Sequence, residues 1–154
     1  MAETARKSSS VSYDQDFYAW SEEQARLLQA RSVAGLDWEN LAEEIRSLGG
    51  SERSEIRSRL VVVLHHLLKW QHQPSRRKSG WSASILEARD QLNERLRESP
   101  SLRSYPNTVL EKQYSIARLR AADETDLPLD TFPAECPYTV NEVLDESFHP
   151  GEEL

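Results

Sequence analysis

Residues 60–81 read LVVVLHHLLKWQHQPSRRKSGW, and the apolar run that opens this stretch constrains the fold more than any other feature. At helical spacing Ile56, Leu60, Val63, Leu64 and Leu67 share one face, which Trp70 extends, while Val61 and Leu68 fall on the opposite side. A helix that is apolar nearly all round has to be covered on several sides. The sequence therefore predicts a central buried helix over about 51–72, ended by Pro74 and the basic loop 75–80.

The flanking segments supply helices to cover it. Phe17, Trp20, Gln24, Leu27, Leu28 and Arg31 recur at helical spacing, predicting a first helix that begins near residues 12–14 and is closed by Gly35 as a C-terminal cap. Asp37 is a good N-cap for a second helix carrying Trp38, Leu41, Ile45 and Leu48 on one face. Gly49 and Gly50 predict a break, since two adjacent glycines cost a continuous helix about 2 kcal/mol relative to alanines. A fourth helix takes Trp81, Ile85, Ala88, Leu92 and Leu96, with its Arg and Glu residues on a solvated outer face. Ser99 and Pro100 open a short turn of helix, and Pro106 a longer helix with Val109, Leu110, Tyr114, Ala117 and Ala121 inward.

From residue 123 the composition turns acidic and proline-rich, and Pro128, Pro133, Pro137 and Pro150 exclude a long helix there. Thr139 and Glu142 are spaced as a capping box, which predicts one short helix near 138–146. The expected fold is all-α, a compact helical bundle around the central helix, with Trp20, Trp38, Leu60, Leu64, Leu67, Trp70, Trp81 and Ile85 in the core. Residues 1–11 are expected to be a disordered tail, 12–122 the bundle, and 123–154 an irregular acidic strap packed on the same single domain.

The net charge of −7 is segmented. Residues 1–52 carry −5, residues 53–120 carry +8, and residues 121–154 carry −10 with no Lys or Arg. Acidic ends folded onto a basic middle would neutralise it; the competing reading is a basic face for nucleic acid. One cysteine, Cys136, excludes an intramolecular disulfide and suits a reducing compartment. No apolar run approaches the roughly 20 residues that span a bilayer, and the N-terminus lacks the apolar core of a signal peptide. A cytoplasmic protein without a membrane partner is expected.

The segments YDQDFYAW, QARLL, LDWENLAEEIRSLG, LHHLLKWQHQP, WSASI, SPSL and FPAECPYT follow one another in an order and spacing that resemble the bacterial family called domain of unknown function twenty-nine, common in cyanobacteria and proteobacteria. The resemblance covers roughly residues 13–150 and implies a small all-helical domain; it implies no activity. Gly49-Gly50 departs from the glycine and basic residue more often found at that point in the family.

Three constellations bear on chemistry. Glu44 and His66 are the inward-leaning carboxylate and imidazole, a candidate metal pair if their helices are neighbours. The Glu-x-x-His spacing of bundle di-metal sites is absent, and His65 and His66, adjacent on a helix, diverge by about 100°; a hydrogen-bonded His66 is the commoner arrangement. Arg76, Arg77 and Lys78, with Lys69 nearby, are candidates for contact with nucleic acid or an acidic partner, Trp70 and Trp81 offering faces on which bases could stack. Cys136 sits beside Glu135, a setting that raises a thiol pKa, and no serine or glycine-rich loop has a catalytic context. No catalytic residue and no cofactor is therefore assigned. The reading is a non-catalytic interaction or regulatory module whose partner is another bacterial protein. The alternatives are a metal-dependent hydrolase or nuclease using the Glu/His pair, and a nucleic-acid binder using residues 76–78. An exposed apolar patch would be the structural sign of a protein partner.

Overall fold

The computed structural model describes residues 11–151. All of the tail expected over 1–11 except Val11, and the last three residues of the strap, lie outside them. Five α-helices and three short 3-10 turns make up the regular structure, with no strand among the described residues. The chain divides into two compact units, Met1–Gly50 and Ser51–Leu154.

The first unit pairs α1 (Phe17–Gln29) with the beginning of α2 (Trp38–His72). Asp16 caps α1, its carboxylate accepting from the Ala19 amide at 3.0 Å. The helix ends well before Gly35. Arg31, at φ 54°, takes the left-handed position expected of a glycine, and the Ser32 and Arg31 amides donate to Leu27 and Leu28 at 3.0 and 3.1 Å. This is the paired closure of a Schellman motif. Gly35, at φ 87°, instead turns the connecting loop. Asp37 opens α2: its carboxylate accepts from the Asn40 amide, and from the Trp20 indole at 3.0 Å. Gln24 holds the same corner, accepting from the Asp37 amide at 2.8 Å and donating to the Gly35 carbonyl. Among the described residues of this unit, Trp20, Gln24 and Leu27 are the buried ones.

The break expected at Gly49-Gly50 is not there. α2 runs through both glycines, neither of which has positive φ. Starting a new helix means fixing a fresh turn for a single hydrogen bond, so continuing one already formed on both sides offsets the glycine penalty.

In the second unit α2 carries Leu60, Val63, Leu64, Leu67 and Leu68, all fully buried. Around them pack Ile85 and Leu92 from α3 (Ser79–Glu98), Tyr114, Ala117 and Ala121 from α4 (Tyr105–Thr125), and Phe132, Tyr138 and Val143 from the C-terminal segment. Burying each large aliphatic side chain contributes roughly 1.5–3 kcal/mol. Trp81 is buried and Trp70 half-buried, whereas Trp38, expected in the core, is 63% exposed in the first unit. α5 (Val140–Leu144) forms with both halves of its capping box, Thr139 and Glu142, in place.

The C-terminal segment is held by side-chain donors, two arginines among them, that seek its carbonyls. Arg89 is fully buried, and its guanidinium donates to the carbonyls of Val143 (2.8 Å), Phe148 (2.8 Å) and Glu142 (3.1 Å). Arg118 donates to the Phe132 carbonyl, the Tyr114 hydroxyl to the Pro133 carbonyl, and Asn93 to the Leu144 carbonyl. One expectation is thereby corrected. Arg89 lies on the inward stripe of its helix, not on a solvated face. Among the described residues, Glu124 is the acidic residue beyond position 120 that forms an ion pair with the basic block, through Lys69 and His65. Docking proceeds through backbone carbonyls more than through opposed charge.

Candidate functional site

In the first unit α1 and α2 present parallel stripes at three- and four-residue spacing: Phe17, Ser21, Gln24 and Leu28 on α1, Leu41, Ile45 and Leu48 on α2. Between them lies a groove of about 240 Å³, floored by buried Trp20. A pair of helices can bury only the line along which they meet, so the outer members of both stripes stay in water. Phe17 is 51% exposed, Leu28 53%, Ile45 67% and Leu48 70%.

Glu44 is the charged residue lining the groove, and the Tyr13 hydroxyl donates to it. That hydrogen bond, with smaller contributions from burial and neighbouring acids, pushes the Tyr13 pKa up to about 12. Tyr13 is therefore a neutral donor at ordinary pH, and its ring packs edge-on against Phe17 and Trp20 at 5.5 and 4.8 Å. Residues 11–50 carry eight acidic and three basic side chains, so the unit that holds the groove is acidic. A broader depression of about 630 Å³ opens on the other side of α1, lined by Tyr13, Glu23, Arg26 and Asp37 among others. Its central groups, Gln24, Asp37 and Asn40, are already bonded to one another or to backbone.

The metal candidates do not converge. Glu44 and His66 lie on one helix rather than on two neighbouring ones, and each has its own partner. Glu44 accepts from Tyr13, while His66 Nδ1 pairs with the Val62 carbonyl at 2.8 Å. Among the described residues no three His, Cys, Asp or Glu side chains come together in a way that could hold a metal ion. The inward-leaning imidazole is His65, 6% exposed, not His66. His65 Nε2 and Lys69 Nζ both lie 2.8 Å from Glu124 Oε2. Burial, reinforced by His66 alongside, lowers the His65 pKa to about 4, so the imidazole is neutral and donates its Nε2 proton to the carboxylate. Partial burial works to raise the Glu124 pKa, but the Lys69 hydrogen bond and charge outweigh it and hold the group below the ordinary carboxylate range. His72, whose pKa burial also lowers, packs its ring edge-on against Phe132 at 5.0 Å.

Two of the four basic candidates are already engaged. Lys69 is buried against Glu124, with its ammonium 4.6 Å from the centre of the Trp81 ring. Arg77 donates to the Trp70 carbonyl at 2.8 Å and lies over the Trp70 ring at 4.9 Å. Arg76 and Lys78 are exposed, the Lys78 ammonium lying more loosely over the Trp81 ring at 6.0 Å. Cys136 is half-buried, and burial pushes its thiol up to about 11, away from nucleophilic range.

Ile45 and Leu48 have the spacing of a core stripe, and the groove they border is not visible in the sequence. A stripe meant for the core and one meant for a partner have the same spacing; the available signal was that only two short helical segments precede Gly49, too few to cover both. Arg89 left a clearer trace. It interrupts the stripe Ile85, Ala88, Leu92, Leu96, where an arginine is unexpected unless something polar comes to meet it.

No curated protein and no solved structure matches the chain. A family model does, over residues 12–149, nearly the whole length. The chain belongs to the family described as domain of unknown function DUF29.

Proposed function

We propose that this protein is a non-catalytic helical interaction module of the bacterial cytosol, regulating or scaffolding another protein that docks on the first unit. The observation that carries the reading is the exposed apolar groove between Phe17 and Leu28 of α1 and Ile45 and Leu48 of α2. Apolar side chains kept in water cost solubility and contribute nothing to a core, and covering them releases roughly 25 cal/mol per Å².

A photo-reactive amino acid placed at Leu48 in the native cell tests this, with Leu119, an exposed apolar residue of α4, as the control position. The expected result is a discrete adduct at position 48 with one protein, absent at position 119 and lost on Ile45→Asp. Equal labelling at both positions would remove the reading. So would turnover of a substrate by the purified protein that Glu44→Ala or His66→Ala abolishes.

A further inference from the structure

Resting on that docking role, we infer that the occupant of the groove is a single amphipathic helix of a partner protein, apolar along one stripe and flanked by Lys and Arg. Shape gives the helix. The groove follows α1 from Phe17 to Leu28, which at 1.5 Å per residue is roughly 16 Å, three turns of a third helix laid alongside. Ser21 and Ala25 are small residues on its α1 wall, so the axis of an incoming helix can approach to the 8–10 Å at which helices interdigitate. The facing stripes at three- and four-residue spacing require the same spacing in what fills them.

Charge gives the flanks. With eight acidic and three basic side chains in residues 11–50, a helix bordered by Lys and Arg is drawn in, whereas phosphate backbones and anionic lipid surfaces are repelled. The same field disfavours a second copy docked groove to groove, which would oppose two acidic units. A second copy docked by its basic block would form a heterologous contact, which builds a closed ring or an open filament.

The full-length protein is titrated against three labelled peptides of about 18 residues, five helical turns, with binding read by fluorescence anisotropy. The first carries a leucine stripe with Lys and Arg flanks, the second the same stripe with Glu flanks, and the third the basic composition scrambled so that no stripe remains. The basic striped peptide is expected to bind at least about tenfold more tightly than either of the others. Ile45→Asp, or Ala25→Trp filling the groove, should remove that advantage while leaving the circular dichroism spectrum unchanged. If the acidic and basic striped peptides bind alike and the groove variants abolish both, the docking role stands and the charge assignment falls. If stripe makes no difference and the groove variants change nothing, docking at this face falls as well. Sedimentation over a range of protein concentrations reads the remaining occupant: self-association broken by Ile45→Asp would replace the partner helix with a second copy.

Discussion

The two units of this protein begin from the same material, helices with apolar stripes at three- and four-residue spacing, and put it to opposite use. Among the described residues the first unit leaves seven large apolar side chains exposed, against four in the longer second unit. The second unit surrounds its stripe with α3, α4 and the C-terminal segment, so that Leu60, Leu64 and Leu67 lose all contact with water. The first has two helical segments and buries Trp20, Gln24 and Leu27. A stripe becomes core or stays exposed according to how many helices are on hand to cover it, and nothing in its own residues decides which.

The sharpest way to separate the units is to attack the polar group on which the second depends. Arg89→Met keeps the bulk of the side chain but leaves the Val143, Phe148 and Glu142 carbonyls without their shared donor. Losing several buried charge-assisted hydrogen bonds is expected to cost about 4 kcal/mol, read as a lowered midpoint in urea. Amide hydrogen exchange of the variant would show the C-terminal segment opening first. An unchanged midpoint would mean that the apolar contacts of Phe132, Tyr138 and Val143 hold the segment unaided.

A smaller loss should follow acidification, through His65. Its folded pKa of about 4 lies below the ordinary 6.5, so between those values the unfolded chain binds the proton and the folded one does not. Stability is unaffected by this group above pH 6.5 and falls as the pH drops through the window, by about 3 kcal/mol at its lower end. His66 and His72, both lowered chiefly by burial, act in the same direction. Urea unfolding at pH 7 and pH 5 should show the decline, and His65→Gln should flatten it. A decline of equal slope in the variant would assign the effect elsewhere.

Much of this was legible beforehand because it depended on local spacing. The central stripe, the Asp37 and Thr139 caps and the proline-opened α4 all follow from residues within one or two turns of one another. What escaped depended on partners far away in sequence. Arg89 is inward because carbonyls more than 50 residues later come to meet it. Glu44 looked like a metal ligand until Tyr13, 31 residues earlier, occupied it. Gly49-Gly50 failed as a break because nucleation is a property of the helix on both sides and not of the pair itself. That last point can be measured. A side-chain methyl at either glycine meets nothing within 4 Å, so Gly49→Ala and Gly50→Ala should each raise stability by about 1 kcal/mol. Destabilisation by either would indicate that the backbone needs a conformation other than the helical one there.

The smallest effect is the one that bears most directly on function. Leu64 and Ile45 are both aliphatic stripe residues of α2, one fully buried and the other 67% exposed. Leu64→Ala should cost 2–5 kcal/mol, as large-to-small changes in a packed core generally do (about that range). Ile45→Ser and Leu48→Ser should change the unfolding midpoint by no more than about 0.5 kcal/mol, because the side chains leave little contact behind when they go. Near-neutrality for the fold, joined to loss of the adduct at the groove, is the signature of a surface kept apolar for something other than folding. A substantial destabilisation by Ile45→Ser would instead return this stripe to the core, and the two units would no longer differ in kind.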